Sequence, residues 1–192
     1  MNIALSWDLF IVAFFAIIIA YSFIIGKNNT VKIILGTYVA ALSADAAGNL
    51  FAAYFSHSAA FIKLLHTASP GSGPDSSAAM VKLLLFVIVV IVMSVRGGFT
   101  VNSDIGKSTT SRLVMTGFFG FLSAGLIIGT VLMYVSGLSF IAGAASADKI
   151  SITSFTGQSP LVQTLINFYN YWFLLPALAL IFGGILAGRE GD

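Results

Sequence analysis

Long apolar runs, separated by short clusters of glycine, polar and charged residues, organise this sequence. A helix rising 1.5 Å per residue needs about 20 residues to cross a hydrocarbon layer of ~30 Å. The first run of that length extends from about Leu5 to Ile25, with Trp7 and Tyr21 placed as interfacial aromatics. It has no basic residue ahead of it and no small-residue cleavage pattern behind it, so it reads as a retained helix rather than a signal peptide. Gly26-Lys27-Asn28-Asn29 ends it, and a second run follows from about Thr30 to Phe55. The third spans Ala79 to Val95, is wholly aliphatic or aromatic from Leu83 to Met93 (methionine included), and stops at Arg96-Gly97-Gly98. A basic residue in the last turn with glycine just beyond is what a helix C-terminus favours. The fourth runs from about Ser111 to Val135. The fifth opens at Ser159-Pro160, a cap followed by proline at the first helical position, and continues to about Ala187 with a kink predicted at Pro176. Its first half carries Gln163, Thr164, Asn167 and Asn170. A short surface helix followed by a re-entrant or shorter span is therefore the alternative, and it reduces five spans to four.

Composition narrows the class. Of 192 residues 58% are apolar and 8% charged, and the mean hydropathy is +0.99, against about 25% charged residues in soluble domains. Nine Lys+Arg and seven Asp+Glu cannot coat a soluble particle of this size, which excludes a soluble enzyme, a nucleic-acid binder and a disordered chain. A transmembrane β-barrel needs alternating strands of about ten residues, whereas the runs here are continuous. The expected fold is an all-α integral membrane protein, a bundle of five (alternatively four) transmembrane helices forming one polytopic domain over residues 1–192. The absence of cysteine excludes disulfides and thiolate chemistry.

The charges also suggest an orientation. Lys27, Lys32, Arg96, Lys107, Arg112 and Arg189 fall on one side, and Lys63, Lys82 and Lys149 on the other. Positive residues stay cytoplasmic, so residues 97–110 are read as a cytoplasmic loop and 56–78 and 137–158 as extracytoplasmic loops. With five spans the N-terminus lies outside and the C-terminus inside. The first outer loop opens with an amphipathic turn (Phe61, Leu64, Leu65) and becomes a flexible Ser-Pro-Gly-rich linker.

Two features within the spans could carry chemistry. Gly36, Ala40, Ala44, Gly48 and Ala52 recur every fourth residue on the second helix, and Gly120, Ala124, Gly125 and Gly129 cluster on the fourth. Lipid provides no hydrophobic force between helices, so small side chains that permit close backbone approach are the natural packing faces. They serve either as contacts between these two helices in one chain or as a seam between copies in a homo-oligomer. Beside the first stripe stand Asp45 and Asn49, one turn apart. Asp45 lies 13 residues past Lys32, ~20 Å along the axis, where a charged carboxylate costs at least ~2.5 kcal/mol. Protonated, it can bond Asn49, Ser43 or Ser123. Ionised, it needs a cation or a basic partner, and no lysine or arginine is placed mid-helix to provide one.

The other polar residues carry less. Asp8 reads as a cap or interfacial charge near a helix N-terminus. His57 and His66 have no carboxylate at ligand spacing, so no metal or other cofactor is expected. Gly106-Lys107-Ser108-Thr109 lacks the earlier glycine of a phosphate-binding loop. No Ser/His/Asp arrangement is placed for catalysis, and no enzymatic activity is expected.

Taken together, the helices resemble the colicin V production protein family of small bacterial inner-membrane proteins. The resemblance rests on Trp7-Asp8 opening the first helix, on Gly26-Lys27 before a small-residue second helix, and on a featureless third. It continues with Ser111-Arg112 ahead of Gly117, Gly120, Gly125 and Gly129, and with Ser159-Pro160-Leu161 before the closing segment. Where family members carry an arginine within the glycine cluster, this chain has Ser123-Ala124. The resemblance implies a role in bacteriocin or toxin production, export or envelope homeostasis, and it favours four spans. Two other classes stay open: a small channel or proton-coupled transporter using Asp45, and an accessory subunit of a larger membrane complex. The partners expected are the lipid bilayer and a second membrane-protein chain, and no nucleic acid.

Overall fold

The computed structural model describes residues 7–55, 74–96, 109–135, 140 and 159–189. Their regular structure is entirely helical: α1 (Trp7–Ile25), α2 (Lys27–Phe55), α3 (Pro74–Arg96), α4 (Thr109–Val135), α5 (Pro160–Asn167) and α6 (Tyr169–Arg189). Four helices are long and apolar enough to cross a membrane, and α5 with α6 would make a fifth as one bent span.

Two helices begin ahead of the spans predicted for them. Residues Pro74 to Ala78 belong to α3, where proline occupies the first helical position. Thr109 and Thr110 open α4. The rest of the predicted loops 56–78 and 97–110 lies outside the described residues, as does 137–158 apart from Phe140. His57, Lys63, His66, Lys107 and Lys149 fall there too.

Gly26 alone separates α1 from α2. Its φ of +81° is the left-handed geometry that ends many helices and that L side chains resist. Its N–H donates to Ser22 O at 2.9 Å, and its carbonyl accepts from Thr30 N at 3.1 Å. One residue thus closes α1 and opens α2.

α4 is the hub, touching α1, α2, α3, α5 and α6, while α2 packs most extensively on α3. Within the candidate spans 72% of α4 is buried against 11% of α1 and of α3. The outer faces of α1 and α3 therefore present Val12, Ile17, Ile24, Val87, Ile91 and Val95 to the surroundings. Water-soluble monomers rarely expose contiguous apolar surface on this scale, so the outer faces suit hydrocarbon. One core cluster joins Ile11 of α1 to Ile128 and Leu132 of α4 and Val162 and Leu165 of α5. A second joins Val31 and Ile34 of α2 to Phe119, Leu122 and Leu126 of α4.

The break between α5 and α6 bends the chain by 61°. It falls at Phe168, whose N–H donates back to Thr164 O; Pro176 lies further on, buried inside α6. Proline removes the amide that would bond Trp172 O, and the Tyr38 hydroxyl of α2 donates to the neighbouring carbonyl of Phe173. The α5 start is built as the Ser159-Pro160 pattern predicts: Ser159 accepts from Val162 N at 3.2 Å.

Candidate functional site

The predicted acid on α2 is fully buried, and its partner is a residue that loop counting misplaced. Lys82 Nζ donates to Asp45 Oδ1 at 2.6 Å. Lys82 is not a loop charge: it lies three residues inside the candidate span that begins at Ala79, and it is 6% exposed. The expectation that Asp45 has no lysine or arginine within reach, because none lies mid-helix, is thereby corrected: the partner sits near the start of α3. Met80, Val81 and Leu83 flank Lys82, so continuing the apolar helix through one lysine would have found it. Two buried opposite charges in hydrogen-bond contact lessen each other's desolvation cost, which neither could bear alone.

Gly48 makes the contact possible. A Cβ built on Gly48 would stand 2.3 Å from Lys82 Cγ and 3.0 Å from Cε, so the lysine stem runs across bare backbone. Gly48 is about one turn nearer the Phe55 end than Asp45. The ammonium therefore reaches the carboxylate from that end of the bundle. Asp45 lies six residues before Phe51, where the candidate span ends, or ~9 Å along the axis. Asn49, one further turn on, is half-buried, and Ser43 is exposed on another face.

Around the pair, Ala40, Ala41 and Ala44 are buried against Phe86 of α3 and Tyr134 of α4. The Tyr134 hydroxyl donates to Ala41 O, one turn before Asp45, and its ring meets Phe86 edge-on with centroids 5.9 Å apart. Sequence alone does not single out Tyr134, because a tyrosine at the end of an apolar helix reads as an interfacial aromatic.

The small residues pack within the chain. Gly36 of α2 faces Met93 of α3, and a Cβ added to this glycine would lie 3.1 Å from Met93 Cβ. On α4, Gly120 lets Ser22 and Ile19 of α1 approach, a Cβ there lying 2.9 Å from Ser22 Cβ and 3.3 Å from the Ile19 backbone. Gly125 receives the Trp172 ring of α6, whose Cε3 would lie 2.0 Å from a Cβ, and Gly129 meets Trp172 Cβ at 3.6 Å. Ala124 is fully buried. The α2 stripe thus serves α3 more than α4, and the α4 glycines admit α1 and α6. Ala52 continues the α2 stripe in sequence, but its side chain lies outside what is described.

Asp8 anchors a separate contact. Its carboxylate accepts from the Ser159 hydroxyl and, at 3.3 Å, from Leu161 N. An acid in the first turn of α1, expected as a cap or interfacial charge of its own helix, here bonds the start of α5. Among the described residues no group of three metal-ligating side chains is assembled.

No family model, curated protein or solved structure matches this chain.

Proposed function

We infer that this chain is a non-enzymatic, multi-pass protein of the bacterial cytoplasmic (inner) membrane. It supports bacteriocin or toxin production, export or envelope homeostasis, as its likeness to the colicin V production proteins implies. The observation that carries this reading is the division of surface. Apolar side chains cover the outside of α1 and α3, while one acid of α2 and one lysine of α3 meet inside as Asp45–Lys82. Such a body is stable in hydrocarbon and is held in one helix register by a charge pair. The glycines of α2 and α4 are occupied by neighbouring helices of the same chain, so a second copy or another membrane protein would meet it on α1 or α3.

Topology and phenotype test the reading. The chain has no cysteine, so Asn29→Cys and Arg189→Cys each introduce a single reactive thiol. With five spans both sites react with a membrane-impermeant thiol reagent only after the cells are opened; labelling of Arg189→Cys in intact cells would leave four. Deletion of the gene in its bacterial host should admit a normally excluded dye, with restoration by the wild-type gene. Unchanged permeability would overturn the supporting role.

A second reading, a proton-coupled transporter or channel at Asp45, gains from one observation. Proton transfer through a membrane protein commonly needs a second ionisable group beside the first, and Lys82 stands 2.6 Å away.

A further inference from the structure

We propose that a buried row of hydroxyls between α2 and α4 is a path by which a hydrated proton reaches Asp45 from the Gly26 end of the bundle. The proposal rests on the second reading above.

On α2, Thr30, Thr37 and Asp45 are each fully buried. At 3.6 residues per turn they share one stripe with Ile34 and Ala41. That stripe faces α4: Ile34 packs with Phe119, Leu122 and Leu126, and Ala41 O accepts from Tyr134. On α4, Thr116, Ser123, Thr130 and Tyr134 repeat at seven, seven and four residues along one stripe, and all four are buried. Six polar side chains thus accompany Asp45 along two helices in contact, in a protein whose outer faces are apolar.

Their hydrogens and oxygens are disposed unequally. Thr30, Thr37, Thr116 and Thr130 each donate to the carbonyl four residues earlier, at 3.0, 2.8, 2.7 and 2.7 Å. Their donors are engaged on their own helices, while each oxygen keeps a lone pair to accept with. A file of acceptor oxygens leading to a carboxylate suits a cationic or hydrogen-donating occupant. Ser123, midway along the file, has a buried hydroxyl oxygen with no hydrogen-bond partner. Leaving such a group bare is costly, and a water at that point would relieve the cost.

The lengths agree with a route across most of a bilayer. Thr30 to Asp45 is 15 residues, ~22 Å of axis, and the stretch beyond Asp45 is crossed by the Lys82 stem entering over Gly48. Lys82 from α3 meets the carboxylate, and the Tyr134 hydroxyl of α4 is held one turn away on Ala41 O. A proton arriving along the file adds to an Asp45 oxygen, turning carboxylate into carboxylic acid. The Lys82 ammonium then loses its counter-charge and is free to swing on its stem toward the Phe55 end. Release of the same proton restores the pair, so no other reactant is consumed.

The full chain reconstituted in phosphatidylethanolamine/phosphatidylglycerol vesicles with an internal pH-sensitive dye, under a potassium diffusion potential, tests this. Proton entry should exceed that of empty vesicles and disappear in Asp45→Asn. Removing two stations by Thr37→Val with Ser123→Ala should slow entry about tenfold, the order expected for losing hydrogen-bonding steps, while Thr37→Ser keeps it. Circular dichroism and elution volume verify that each variant folds. Independently of flux, Ser123→Cys in the otherwise cysteine-free chain should react with a small thiol reagent offered from the Gly26 side. Wild-type entry equal to that of empty vesicles overturns the second reading and the path with it. Entry indifferent to the Thr37 and Ser123 changes, or a thiol at 123 inert from the Gly26 side, overturns the path alone.

Discussion

Gly48 is the position at which the packing argument is most exposed to test. In the wild-type background Gly48→Ala places a methyl 2.3 Å from Lys82 Cγ. Cγ is close to the α3 backbone and cannot step aside as a chain tip could, so the whole stem must leave and Nζ loses Asp45. Breaking a buried pair from one side costs about 3–5 kcal/mol, and we expect about 3 kcal/mol for Gly48→Ala because the lysine recovers part of its solvation. Once the pair is removed by Asp45→Asn with Lys82→Ala, the same substitution meets no stem. There it gains what alanine gains over glycine inside a helix, up to ~1 kcal/mol. The predicted effect therefore changes sign between backgrounds. Unfolding by sodium dodecyl sulfate in mixed micelles, followed by helicity and by the fluorescence of Trp7 and Trp172, measures both. A Gly48→Ala effect of the same sign and size in the two backgrounds would refute the proposed passage of Lys82 over Gly48. In a second cycle Asp45→Asn and Lys82→Met should each destabilise, and the double variant should lie nearer wild type than either, because a buried pair replaced as a unit costs little.

Gly125→Ala should destabilise the chain by roughly 1–3 kcal/mol, the usual cost of overpacking, since the rigid Trp172 ring lies 2.0 Å from the new methyl. The effect should appear as a lower thermal midpoint with an unchanged particle mass in detergent; dissociation of an oligomer at unchanged midpoint would place this glycine in an interface between copies. Asp8→Ala should cost about 0.5–2 kcal/mol by removing an acceptor from the Ser159 hydroxyl and Leu161 N at the α5 start. Its local signature is faster amide exchange at Leu161 and Val162, and unchanged exchange there would contradict the clasp.

Sequence periodicity and run length determined much of this protein. Four long apolar helices, the Gly26 turn and the Ser159-Pro160 start follow from local chemistry, because hydrocarbon thickness, backbone conformation and caps act over a few neighbouring residues. The burial of Asp45 was legible for the same reason, since depth along a helix is a matter of counting. What answers it was not. Lys82 lies 37 residues away, and its position near a helix start looks like an ordinary interfacial charge until α3 is laid antiparallel on α2. The glycine stripes likewise announced close approach without naming the approaching element. Only the assembled bundle decided that Gly48 admits a lysine stem, Gly120 the backbone of α1, and Gly125 an indole from α6. The bend at Phe168 was also a tertiary outcome, lying between a capped α5 held by Asp8 and an α6 held by Trp172 against α4. A sequence specifies which groups cannot stay unpartnered in hydrocarbon, and contacts between distant segments select the partner.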